Sequence, residues 1–189
     1  MQALSHKWRI GTAAGHIDCA EVSLCSRAYA PHRHTRFVIA QPISGLKRFR
    51  YRGEGHLAGP GAVVVLHPDE KHDGADHEGA GLVYRAAYIG MPLVRAVLGA
   101  RAVPEPADPV LVDEGLAACT QTLLNIDAGS SEPLAVVDAS RALVERMAVI
   151  FGARLSAVRL DRRTIRRIEL VMNSILDRPL KLHDLEVET

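Results

Sequence analysis

Three histidines mark the stretch of this chain best equipped for chemistry. His32 and His34 stand in Pro31-His-Arg-His34, and His72 closes Pro68-Asp-Glu-Lys-His72. Residues two apart in a strand share a face, so His32 and His34 point the same way if this segment is extended. Neutral imidazoles suit zinc, copper, iron or nickel, and three protein ligands leave an open coordination position. The residues after His34 are Thr35, Arg36, Phe37, Val38, Ile39, Ala40 and Gln41, none of them a carboxylate, and Arg36 repels a cation. Two readings follow. Either His32, His34 and His72 form a facial metal site, or they line a cavity or hydrogen-bond within the fold. The second is the expectation, with no cofactor. A cavity needs a few placed polar groups in an apolar lining, and the candidate ligand-binding set is His32, His34, Arg36, His72 and Tyr84. Tyr84, like Tyr88, serves equally well as packing. No nucleophile, base and orienting partner occur together, so no catalytic residue is assigned.

The elements that must position these residues are short strands. In Ile17–Tyr29, Ala20, Val22 and Leu24 lie on one face, with Asp18 at the edge of that side. Residues 36–41 form a strand, and Ser44-Gly45 is a turn. Lys47–Arg52 alternates: Phe49 and Tyr51 face one way, Lys47 joins their row less neatly, and Arg48, Arg50 and Arg52 face the other. Residues 53–61 are dense in glycine. Val63–Leu66 is apolar on both faces and so buried on both. Residues 82–89 make another strand. Short strands separated by Gly/Pro turns, without intervening helices, predict an antiparallel sandwich or barrel over about residues 8–90.

The pattern then turns helical. Met91–Gly99 has Pro92 at the first turn and a closing glycine. Pro104, Pro106 and Pro109 mark an extended connection. A helix is predicted from Asp113 to about Asp127, with Leu116, Cys119 or Thr120, Leu123 and Leu124 on one face. A second runs from Leu134 to Gly152. Its Val136, Ser140, Leu143, Met147 and Ile150 are spaced as a short heptad seam. That seam packs either on the protein's own barrel or on the same helix of a second subunit. A third helix carries Ile165, Ile168, Met172 and Ile175 and ends at Asp177-Arg-Pro179. Six arginines fall between Arg154 and Arg167 against one acid, Asp161. They form either a solvated helix face or a flank for phosphates.

Composition bounds the rest. The 189 residues are 48% hydrophobic, enough for one packed domain with an extension, and the net charge of +1 gives the whole chain no electrostatic claim on nucleic acid or membrane. No apolar run is long enough to span a bilayer, and the start lacks a signal-peptide core, so a cytoplasmic location is expected. Cys19, Cys25 and Cys119 are an odd set without Cys-x-x-Cys spacing, which argues against disulfides or a thiolate zinc site.

Domain order and four segments carry a resemblance. Pro31-His-Arg-His34, Gly45 with the Phe49/Tyr51 strand, and Gly59-Pro-Gly-Ala-Val-Val-Val-Leu-His-Pro-Asp-Glu-Lys-His72 resemble the sensor domain of AraC/XylS-family transcriptional regulators. Arg167–Leu185 is similar to the first helix of that family's DNA-binding domain and the entry to its first helix-turn-helix. The resemblance implies a mainly β plus α protein: a cupin-like antiparallel β-barrel (jelly roll) over residues 1–100, a helical dimerisation segment over 101–155, and a linker with the start of a DNA-binding domain over 156–189. It also implies a homodimer formed through the 113–152 helices, with Val136, Ser140, Leu143, Met147 and Ile150 in the interface, and an unidentified small-molecule effector in the barrel. Arg162, Arg163, Arg166 and Arg167 would contact the DNA backbone in a full-length context only. The family has a small capping residue where Lys181 stands, alanine where Glu186 stands, and two complete helix-turn-helix units. Neither recognition helix is present here, so the chain reads as truncated, and DNA binding is expected only with a complete C-terminal domain. The rival function is a metal-dependent cupin enzyme, an oxygenase or isomerase; a catalytic cupin adds a carboxylate soon after its His-x-His pair, and this chain does not.

Overall fold

The protein is described by a computed structural model covering residues 4–12, 15–99, 103–126 and 133–151. The chain divides into two compact units, Met1–Leu155 and Ser156–Thr189. The second lies outside the described residues, as do the predicted third helix, the arginine cluster and the assignments to Arg162, Arg163, Arg166 and Arg167.

The first unit begins with a long hairpin, β1 (Leu4–Thr12) and β2 (Gly15–Leu24), then β3 (Ala28–His32), β4 (Phe37–Ser44), β5 (Lys47–Tyr51), β6 (Glu54–Ala58), β7 (Val63–Leu66), β8 (His72–Asp76) and β9 (Leu82–Ile89). Helix α1 (Met91–Leu98), the short β10 (Val110–Leu111), α2 (Glu114–Leu124) and α3 (Pro133–Ile150) follow. One sheet has the order β1-β2-β9-β4-β7-β10 and the other β3-β8-β5-β6, and every pairing is antiparallel.

The strand period sorts side chains into two cores. Ala20, Val22, Leu24, Val38, Ala40, Phe49, Tyr51, Val64, Leu66 and Tyr84 form a core shared by strands of both sheets. Alternate residues of the large sheet (Ile17, Cys19, Phe37, Ile39, Val63, Val65, Ile89) pack with Val94, Leu98, Leu116, Leu123, Leu143 and Met147 from the helices. The division of Val63–Leu66 between the two cores is what an all-apolar strand covered on both faces requires. Two turns fix the frame. Gly45 has φ +75°, and a Cβ there would lie 2.0 Å from the Gly81 carbonyl oxygen, so no other residue fits. Asp113 caps α2 by accepting from the Leu116 N–H at 2.7 Å.

The heptad seam of α3 is spent inside the subunit. Val136, Ser140, Leu143 and Met147 are buried, and Ile150 packs against the same helix-side core. These side chains therefore do not offer the intersubunit seam expected of them. A narrow apolar stripe packs on a sheet and a neighbouring helix as readily as on a partner helix, and α2 lies alongside α3. The outward apolar residues of α3 are Leu134, Val137 and Val149. Among the described residues no helix is long and apolar enough to cross a membrane.

Candidate functional site

His32 and His72 are direct partners in the β3–β8 ladder, and Tyr51 is the partner of His72 on its other side, in β5. This register brings the histidines together. His32 Nε2 lies 3.1 Å from His34 Nε2, and one nitrogen from each of His32, His34 and His72 falls within 4.8 Å of the others. The tautomers follow from the partners. His32 Nδ1 donates to the Ala30 carbonyl at 2.8 Å, and His72 Nδ1 donates to the Glu70 carbonyl at 3.0 Å, which makes each Nε2 an acceptor; that of His32 faces His34 Nε2, and that of His72 is free. Burial, then His32, His72 and Arg36, pull the His34 pKa down to about 4. Burial likewise lowers His72, against its bond to the Glu70 carbonyl. The cluster is neutral at pH 7 in these two rings.

Neutral imidazoles with Nδ1 anchored on carbonyls are the donor set of a transition-metal site. Two nitrogens about 3.1 Å apart also match neighbouring ligands on bonds of about 2.0–2.1 Å. The three residues thus fit a metal held on one face. No carboxylate joins them among the described residues.

The cluster opens into a cavity of about 1050 Å³ between strands of the two sheets. All five sequence-predicted ligand-binding residues, His32, His34, Arg36, His72 and Tyr84, line it. Its apolar wall comes from Ala20, Val22, Val38, Ala40 and Leu66, with Tyr29 and Tyr88 beside the histidines. The His34 and Tyr88 rings meet edge to face, 5.2 Å between centroids. Burial pushes the Tyr84 and Tyr88 phenols up, so both remain protonated donors. Arg36 is committed to Asp18, which also accepts from Arg9 Nε at 2.7 Å. Burial opposes ionisation of Asp18, but the two guanidinium groups hold its carboxyl below the usual range.

Residues 14–144 match the model for the AraC-like ligand binding domain. The chain belongs to that family. Its two antiparallel sheets followed by helices are the cupin double-stranded β-helix of AraC-like ligand-binding domains. Solved structures with a similar fold include an RmlC-like cupin family protein with a double-stranded β-helix fold from Methanocaldococcus jannaschii, at 13% identity over 47% of this chain and 83% of that one, TM-score 0.41. A cupin superfamily protein from Desulfitobacterium hafniense matches at 11% identity over 47% of this chain and 78% of that one, TM-score 0.42. The DMSP lyase DddQ from Ruegeria pomeroyi matches at 17% identity over 48% of each chain, TM-score 0.40. A search of curated proteins gave no significant match.

Sequence reasoning did not assign Lys47, Asp18 or Tyr29 to the cavity. For Lys47 a signal existed: it stands two residues before Phe49 and four before Tyr51, on the inward side of β5. It is 6% exposed, with Nζ 4.2 Å from the Tyr84 ring centroid. Burial, opposed by Asp73, lowers its pKa to about 8.

Proposed function

We propose that this chain is the effector-sensing and dimerisation portion of an AraC-type transcription regulator. A small molecule binds in the barrel cavity, and its binding biases a DNA-binding domain joined to the C-terminal side. The family match carries this reading: most of the residues that line the open cavity of about 1050 Å³, from Asp18 to Tyr88, fall within the matched residues 14–144. Coupling requires only a different affinity for two states, typically worth about 1–3 kcal/mol. Helices α1–α3 pack on the outer face of the sheet whose inner face lines the cavity, which gives a ligand-induced shift of that sheet a direct route to the helices. The exposed Leu134, Val137 and Val149, which lie on either side of the Arg141–Glu145 pair, support a homodimer through the outward face of α3.

A reporter assay tests the reading. The chain is fused through Thr189 to an AraC-type DNA-binding domain, and transcription is followed against a library of small metabolites. At least one compound changes reporter output, and Ala40→Phe, which fills the cavity from β4, abolishes the response. Responses unaffected by Ala40→Phe would contradict it.

The three converging imidazoles favour one second reading, a metal-dependent cupin enzyme. Stoichiometric transition metal in the purified protein, lost in His72→Ala, together with turnover of a substrate, would establish it.

A further inference from the structure

Lys47 is a buried cation placed inside the cavity, and among the described residues no carboxylate is ion-paired with it. Its strand partner across the β5–β8 ladder is Asp76. That carboxylate accepts instead from the backbone N–H groups of Ser26, Arg27 and Gly81 at 3.0–3.2 Å. Asp73, the other acid near Lys47, accepts the Arg50 N–H at 2.6 Å. The ammonium lies over Tyr84, and Gly74 leaves the space it occupies, since a Cβ there would sit 3.1 Å from Nζ. Burying an ammonium without an anion is costly, so such groups are normally paired.

The charge of the whole cavity has the same sign. Lys7, Arg9, Arg36 and Lys47 line it against only Asp18 and Asp73. Asp18 is taken by Arg9 and Arg36, which leaves Lys47 as the deep cation. The surrounding wall is apolar and aromatic. One buried ammonium neutralises one negative charge, and the apolar wall takes an uncharged body.

We infer that the effector is a small monocarboxylate with an apolar or aromatic body, its carboxylate held by Lys47 over the Tyr84 ring. The inference rests on the effector-site reading and adds the chemical class. A carboxylate on Lys47 completes the ion pair that the protein leaves open. His72, on the next strand, then stands beside the bound group as a neutral ring with a free Nε2.

The test is calorimetric titration at pH 7 with acids running from acetate to decanoate, together with benzoate and 3-phenylpropionate. Each acid is set against its primary amide, on wild type, Lys47→Met and Lys47→Arg. At least one acid binds the wild type at least about tenfold more tightly than its amide. Lys47→Met weakens that acid by about 30-fold or more, and Lys47→Arg recovers part of the loss. Amides binding as tightly as acids, or Lys47→Met retaining acid affinity, overturn the inference while leaving a ligand-binding cavity. Silence across the whole panel also overturns it. Titration with the neutral dye N-phenyl-1-naphthylamine then separates the two failures. Uptake blocked by Ala40→Phe keeps the cavity reading, and no uptake removes that reading too.

Discussion

Lys47 and Asp76 stand opposite each other in the β5–β8 ladder, yet they serve different partners. Asp76 gives its oxygens to three backbone N–H groups from the Ser26–Arg27 and Gly81 turns. Lys47 reaches over Tyr84 into the cavity. An inward-facing cross-strand pair that would ordinarily neutralise itself is thus split into a structural anion and an available cation.

Lys47→Met should stabilise the ligand-free protein. A pKa of about 8 instead of 10.5 corresponds to a burial cost on the order of 3 kcal/mol for the charged form. We expect a gain of about 1–3 kcal/mol at pH 7 in urea denaturation. The folded pKa lies below the unfolded one, so the cost is fully present below about pH 8 and fades as pH rises toward 10.5. The Lys47 contribution to stability therefore rises across that window, against the opposite slope from the buried Cys19 thiol and Tyr84 and Tyr88 phenols, so the difference between wild type and Lys47→Met narrows as pH rises.

Asp76→Ala should lower the melting temperature more than Asp73→Ala. It removes the acceptor for three backbone N–H groups, against one for Asp73. Thermal denaturation of the two variants side by side checks the order.

His34 supplies an acid-side test. Its folded pKa of about 4 lies below the ordinary 6.5, so the unfolded chain binds more protons between those values. Its stability is fully present above pH 6.5 and is lost as pH falls toward 4. His34→Asn should flatten that part of the stability profile.

Asp113 ties the two long helices together. It caps α2 and accepts from Arg146 Nε of α3 at 2.9 Å. Asp113→Ala should cost about 1–2 kcal/mol through the cap, while Asp113→Asn keeps the cap and loses the ion pair. Urea denaturation of both separates the two contributions.

The outward face of α3 is the test of assembly. Val137→Asp with Val149→Asp should shift the protein toward monomer in sedimentation velocity without changing its circular dichroism. Leu143→Ala, in the core, should lower stability by about 2–5 kcal/mol instead.

Much of the barrel was readable from the chain. The four-residue apolar run of β7, the alternation of β5, and the Pro92 and Gly99 boundaries of α1 each carry a local physical signal. His32, His34 and His72 could be named as one candidate set from the chain, but whether they meet could not be read from it. That depends on the β3–β8 register, which pairs residues 40 apart in sequence. Strand β10 has only two residues and leaves no periodicity to detect. Lys47 sat in phase with Phe49 and Tyr51, but lysine is so rarely buried that composition argued against its real position. The α3 seam had the right spacing for two different partners, and only the packing chose between them.

The central claim is that the barrel is a ligand site, and thermal denaturation of wild type and Ala40→Phe against a metabolite library tests it most directly. The account predicts that one or more compounds raise the wild-type melting temperature and leave that of the folded Ala40→Phe variant unchanged. A library that shifts neither protein, or shifts both equally, would contradict it.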